Sequence, residues 1–215
     1  MLFVKNNICL FCKENNIDII GYLCKDCYER LEIVHGELEL DFPYIKKTYY
    51  SLEYNRFIRE IIGDYKFNGK NYLYKPLGQI MVETITRKNI HKDIDIIIYI
   101  PIHRRKEAIR GYNQAELLGN FIGKELNIPV SKNNLVKIKW TKEQSHLTKI
   151  NRATNLKDSF KVKDINKIKN KKILLVDDII TTGATMGECS RLLINSGVKE
   201  VITVGITSSK KGVKI

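Results

Sequence analysis

Three apolar runs limit what this chain can fold into: DIIIYIP (residues 95–101), KILLVDD (172–178) and VITVGIT (201–207). Each has the length of a β-strand. DIIIYIP is a continuous apolar run, the pattern of a strand covered on both faces, KILLVDD reads as a second buried strand and VITVGIT as a third strand. Helical periodicity fills the spaces between them. GYNQAELLGNFIGKELN sets Leu118, Phe121, Ile122 and Leu126 on one face, and TMGECSRLLINSG turns Met186, Cys189, Leu192 and Leu193 inward before Gly197 stops it. Strands alternating with helices build a parallel sheet with right-handed crossovers, so the expected class is α/β.

The 215 residues suffice for one ordinary domain and a small appendage, and 43% hydrophobic with 28% charged residues is a globular composition. No run of about 18 apolar residues is present, so membrane insertion is not expected. The start, MLFVKNNICLFCK, lacks a long apolar stretch and a small-residue cleavage site, which makes the cytoplasm the expected compartment. Three parts are expected. Residues 1–35 hold four of the five cysteines. Residues 36–92 read as a short strand pair within YIKKTYYSLEY and then two helices, the first with Phe57, Ile58, Ile61, Ile62 and Tyr65 at helical spacing. Gly69 and Pro76 punctuate the chain beyond that first helix. Residues 93–209 form the α/β core.

The cysteines are spaced C-x2-C-x11-C-x2-C: Cys9, Cys12, Cys24 and Cys27. Two residues between cysteines let both thiolates face one ion, and two such knuckles complete a tetrahedral zinc site. Disulfides or redox-active pairs are the rival reading. A reducing compartment and the lack of a surrounding βαβ pattern weigh against them. A four-thiolate site leaves no open coordination position, so it staples or docks and does not catalyse. Cys189, on an apolar helix face, reads as packing.

The stretch KKILLVDDIITTGATM carries the chemistry. At the carboxyl end of a buried parallel strand, where open α/β sheets bind ligands, stand Asp177 and Asp178. Thr181, Thr182, Gly183, Ala184 and Thr185 then open a helix. Backbone N–H groups at a helix start, with three hydroxyls, cradle one phosphate, and Gly183 permits close approach. Two carboxylates beside the cradle suit sugar hydroxyls or a magnesium ion held partly by substrate. A sugar phosphate is the implied ligand. The stretch has no Gly-Lys-Ser/Thr after its glycine, which excludes a P-loop.

The run ILLVDDIITTGAT resembles the phosphoribosyl-pyrophosphate (PRPP) loop of type I phosphoribosyltransferases. With YIPIHRRKEAIRGYNQAELLG, KWTKEQSHLTKINRATNLKDSF and the cysteine pairs, nearly the whole chain resembles the competence-protein-F (ComF) family, which is associated with DNA uptake. Tyr112 stands where that family commonly has Phe. The resemblance implies a zinc ribbon at 1–35 and a type I phosphoribosyltransferase-like α/β domain at 36–215, with 36–92 as its hood. It implies that Asp177 and Asp178 hold the ribose hydroxyls, directly or through magnesium, and that Thr181–Thr185 hold the 5-phosphate. Ile102, His103, Arg104 and Arg105, with Arg110 nearby, would face pyrophosphate, and Gln144–Phe160 would cover the ligand. Arg104, Arg105 and Lys106 also fit a solvated turn, Asn113 and Gln114 a helix cap, and Gln144, Arg152 and Asn155 a braced loop. His146 reads as a surface residue.

The formal charge is +13, and residues 131–172 alone hold thirteen Lys/Arg against Glu143, Asp158 and Asp164. Such a window suits nucleic acid or a polyphosphate, although Lys, Asn and Ile are frequent throughout the chain. Two classes of function stay open. One is a phosphoribosyltransferase of unspecified acceptor, binding PRPP with magnesium. The other is a non-catalytic nucleotide-sensing or single-stranded-DNA module that docks to a DNA-translocating ATPase, with Trp140 and some of the tyrosines as platforms for bases, although core packing explains most aromatics equally well.

Overall fold

The computed structural model describes residues 8–16, 18–140 and 156–209. In chain order its elements are β1 (Ile19–Ile20), β2 (Leu23–Cys24), α1 (Lys25–Glu29), β3 (Ile33–Leu38), β4 (Lys47–Glu53), α2 (Arg56–Phe67), α3 (Tyr74–Arg87) and β5 (Ile96–Tyr99). Next come α4 (Arg104–Arg110), α5 (Gln114–Leu126), β6 (Leu135–Lys137), β7 (Phe160–Val162), β8 (Lys172–Val176), β9 (Ile179–Ile180), α6 (Ala184–Asn195) and β10 (Glu200–Ser208).

The main sheet runs β3-β4-β10-β8-β5, with β9 added beside the far end of β10. β4, β10, β8 and β5 are parallel, and Val176 faces Val204 on one side and Tyr99 on the other. Only the β3 edge is antiparallel. The three apolar runs are thus β5, β8 and β10, and the period-2 geometry of a strand explains why none of them alternates. Ile97, Leu174, Val176, Ile202 and Val204 point into a core shared with α2, α3 and α5. Ile96, Ile98, Ile173, Leu175 and Val201 point the other way, into a core that contains Cys189 and Leu193 of α6 with Leu135 and Phe160 of the β6–β7 pair. Ile173 through Val176 are fully buried because both faces are covered.

The helices obey their sequence signals. α2 buries Ile58, Ile61, Ile62 and Tyr65, and Asn55 caps it by accepting from the Ile58 N–H. Pro76 sits in the first turn of α3, where a missing N–H is harmless. α6 buries Met186, Cys189 and Leu193, and Gly197 lies just past its end at φ +84°.

The strand pair expected inside YIKKTYYSLEY is instead one strand, β4, buried from Thr48 to Leu52. The run holds no Gly, Asn or Pro on which to reverse. Its antiparallel partner, β3, lies upstream, so the main sheet begins at Ile33 and runs across the 35/36 division read from the sequence. The cysteine-bearing segment is a β1–β2 hairpin and the short α1. It packs on the helical layer: Tyr22 meets Phe121 of α5 edge-on, and the Lys13 ammonium lies 3.4 Å from the Tyr72 ring centroid. No helix among the described residues is long and apolar enough to cross a membrane.

Candidate functional site

Asp177 and Asp178 come directly after β8 at the carboxyl edge of the parallel strands. The chain does not pass straight into a loop there. Ile179 and Ile180 first form β9 against Thr207 and Ser208 of β10. Only then does the turn Thr181–Gly183 lead into α6. Thr181 is exposed, while Thr182 and Thr185 are half-buried. Thr182 Oγ1 accepts from the Ala184 N–H at 3.3 Å. Gly183 has φ +78°, and a Cβ there would lie 2.7 Å from a Leu40 methyl, so both conformation and packing call for glycine.

Each aspartate folds one oxygen back on the chain. Asp177 Oδ1 accepts from the Asp178 N–H at 2.8 Å, and Asp178 Oδ1 accepts from the Ile179 N–H at 2.6 Å. Asp178 Oδ1 also receives the ammonium of Lys66, at 2.8 Å, from the last turn of α2. No protein hydrogen bond to the Oδ2 atom of either aspartate is present among the described residues. Burial and the neighbouring Asp178 charge push Asp177 up to about 7, against the pull of Lys66, of its hydrogen bond and of Lys137. Lys137, at the end of β6, is held below the usual lysine range by burial, with the Lys106 charge adding to this and Asp177 opposing it. Sequence reasoning found neither lysine. Lys66 and Lys137 stand far from Asp177 and Asp178 along the chain, and only the packing of α2 and β6 brings them in.

The segment expected to face pyrophosphate is partly helical. Ile102 leads to His103, whose Nδ1 accepts from the Arg105 N–H at 3.2 Å and so caps α4, which begins at Arg104. Arg104 and Arg105 are exposed on its first turn. Arg110, in the last turn of α4, bonds to Gln114 Oε1 and lies 5.2 Å from the Phe67 ring centroid. The His103 ring meets Trp140 edge-on at 5.3 Å. Burial, then Arg105, Arg104 and Lys137, hold the His103 imidazole below its ordinary range. Asn113 caps α5 and donates to the Ile100 carbonyl at 3.1 Å, tying this helix to the end of β5. Gln144, His146, Arg152 and Asn155 lie outside the described residues.

In the cysteine segment the Sγ atoms of Cys9, Cys12, Cys24 and Cys27 all lie within 4.8 Å of one another. A tetrahedral ion with metal–sulfur bonds of about 2.3 Å has sulfur–sulfur edges of about 3.8 Å. Cys12 and Cys24 are 3.8 Å apart. The Cys27 N–H points at Cys24 Sγ from 3.5 Å, and all four thiols are free. The donor set therefore fits a single tetrahedral metal and not two disulfides.

Comparison with known proteins matches the phosphoribosyl transferase domain to residues 115–214, a span that contains both aspartates and the Thr181–Thr185 turn. Competence protein F of Haemophilus influenzae is 28% identical over 92% of this chain and 95% of its own length. Competence protein ComFC of Bacillus subtilis is 25% identical over 88% of this chain and 79% of its own. The DNA utilization protein YhgH of Salmonella typhimurium is 25% identical over 66% of this chain and 63% of its own length. The chain carries a phosphoribosyl transferase domain and is a homologue of the competence protein F, ComFC and YhgH proteins.

Proposed function

We propose that this protein binds PRPP with magnesium at the edge formed by β8, β9 and the start of α6, and that it serves DNA uptake as a phosphoribosyltransferase-like component. What supports this reading is that Asp177 and Asp178 follow β8 at the carboxyl edge of the parallel strands, and that after β9 the Thr181–Gly183 turn leads into a 12-residue helix. The turn's hydroxyls and N–H groups receive the 5-phosphate. The carboxylates face the ribose hydroxyls, each with an Oδ2 that takes no protein hydrogen bond among the described residues. The residues present fit magnesium, which takes one or two carboxylates and completes its shell with substrate and water. Held there by Asp177 and Asp178, magnesium would supply charge neutralisation to the diphosphate leaving group. The chain itself contributes position and electrostatic stabilisation: Lys137 and the basic first turn of α4 supply positive charge toward the diphosphate. The four cysteines hold a structural zinc.

Titration calorimetry of PRPP with magnesium tests the site. One PRPP per chain is expected. The Asp177→Asn/Asp178→Asn variant is expected to lose magnesium-dependent binding while melting as a folded protein. Unchanged affinity in that variant overturns the assignment.

A second reading rests on a separate observation. Trp140 is 52% exposed and meets the His103 ring edge-on; Arg104 and Arg105 follow His103, Lys139 precedes Trp140, and all three cations are exposed. An aromatic face amid cations suits single-stranded nucleic acid, with bases stacked and phosphates neutralised. This role is compatible with PRPP binding, and docking to a DNA-translocating ATPase belongs to the same reading.

A further inference from the structure

Lys66 and Asp178 form the most buried ion pair among the described residues, their side chains only 20% and 11% exposed. Surface pairs such as Lys25–Glu29 are exposed by more than 60% on both sides. The lysine is also held from behind. Its neighbour Tyr65 is fully buried and donates its hydroxyl proton to the Gln114 carbonyl at 2.8 Å, while the Tyr112 hydroxyl donates to the Tyr65 carbonyl. Two hydrogen bonds thus fasten the last turn of α2 to the start of α5 and the residue before its cap. Any change of partner by Lys66 must come from its own side chain and not from the helix.

Resting on the PRPP–magnesium reading above, we infer that Lys66 is a positioning residue of this site. It is a built-in counter-ion that occupies Asp178 in the ligand-free protein and passes to the anionic ligand when metal takes the carboxylate. A divalent cation arriving alone at Asp178 either shares one carboxylate with the Lys66 ammonium, two positive charges with little water between them, or expels the ammonium and leaves a buried positive charge without a partner. Both are costly. A cation arriving with a polyphosphate brings the replacement partner with it. Lys66 therefore disfavours bare metal and favours the metal–PRPP pair, and this coupling is reciprocal: metal and ligand raise each other's affinity.

Manganese binding, read from the loss of the free-ion electron paramagnetic resonance signal, tests this without any turnover. Wild-type protein is expected to hold manganese weakly alone and more tightly with PRPP. Lys66→Met keeps the stem and removes the charge. It is expected to bind manganese alone about tenfold more tightly and to lose most of the enhancement by PRPP. Lys66→Arg keeps a cation at Asp178 and is expected to stay near wild type. Thermal melting of each variant establishes that it is folded. Unchanged affinity for manganese alone in folded Lys66→Met protein overturns the inference. Absence of any PRPP effect in wild type would instead overturn the PRPP site, while tighter manganese in Lys66→Met would still establish the competing ammonium.

Discussion

Phe11, between the first two cysteines, meets Phe57 of α2 edge-on with ring centroids 5.9 Å apart, and the Arg30 guanidinium lies 4.0 Å from the same Phe57 centroid. Through this contact the cysteine segment is part of the main core and not a bead on a tether. Cys9, Cys24 and Cys27 bury into the same cluster as Ile58, Leu77 and Ile122.

Metal removal is therefore expected to reach beyond the cysteine segment. Phe11→Ala should cost about 1–3 kcal/mol, from half-buried apolar area and one aromatic pair. For a chain of this size each kcal/mol shifts the melting temperature by about 2–4 °C. Stripping the metal with a chelator, or Cys24→Ser, should lower the main transition by more than Phe11→Ala does. A main calorimetric transition that ignores chelation would show that the segment is not a staple.

The central fold was legible because strands buried on both faces are mostly apolar in sequence. Ile96–Tyr99 and residues 173–176 are unbroken apolar runs, and Glu200–Ser208 is interrupted beyond Glu200 only by small residues and by threonines that are buried as well. The antiparallel edge was not, because β3 (IVHGEL) is half-exposed and carries His35 and Gly36 where an apolar alternation would signal a strand. Within the candidate site, residues adjacent in sequence could be read: the two aspartates, the threonine turn and the four cysteines. Lys66 and Lys137 could not. A lysine at the end of an amphipathic helix looks the same in sequence whether it points to water or to Asp178. Arg104 shows the opposite difficulty, since a basic stretch after a strand does not reveal that His103 caps it into a helix.

His35 gives a pH dependence away from any ligand. Its backbone sits at φ +45°, and its Nδ1 lies 2.8 Å from Thr84 Oγ1, which is itself 3.0 Å from the Ile80 carbonyl. Burial, then the Arg87 and Lys88 charges, hold its imidazole below the usual histidine range. In the unfolded chain it titrates near its ordinary value of about 6.5. As pH falls through that value the unfolded state takes up a proton that the folded state resists, so stability is lost on the acid side and retained above it. His35→Gln should flatten the loss of urea midpoint between pH 7 and pH 5. An equally steep loss in that variant would assign it to other groups.

Trp140 is the single tryptophan of the chain, so intrinsic fluorescence reports on the proposed nucleic-acid face directly. Bases stacking on its exposed ring should quench the emission during titration with single-stranded DNA. Because phosphates are neutralised by exposed Arg and Lys, the affinity should fall steeply with salt. Trp140→Ala, measured by anisotropy of a labelled oligonucleotide, should weaken binding by about 1–3 kcal/mol, roughly 5- to 150-fold, and leave the salt slope nearly unchanged. Stacking and charge neutralisation are separate contributions, and removing a ring does not remove a cation. DNA binding with full affinity in Trp140→Ala would move the contact to another part of the basic surface. Weak binding with a reduced salt slope would mean that Trp140 supports the fold of the patch instead of stacking on bases.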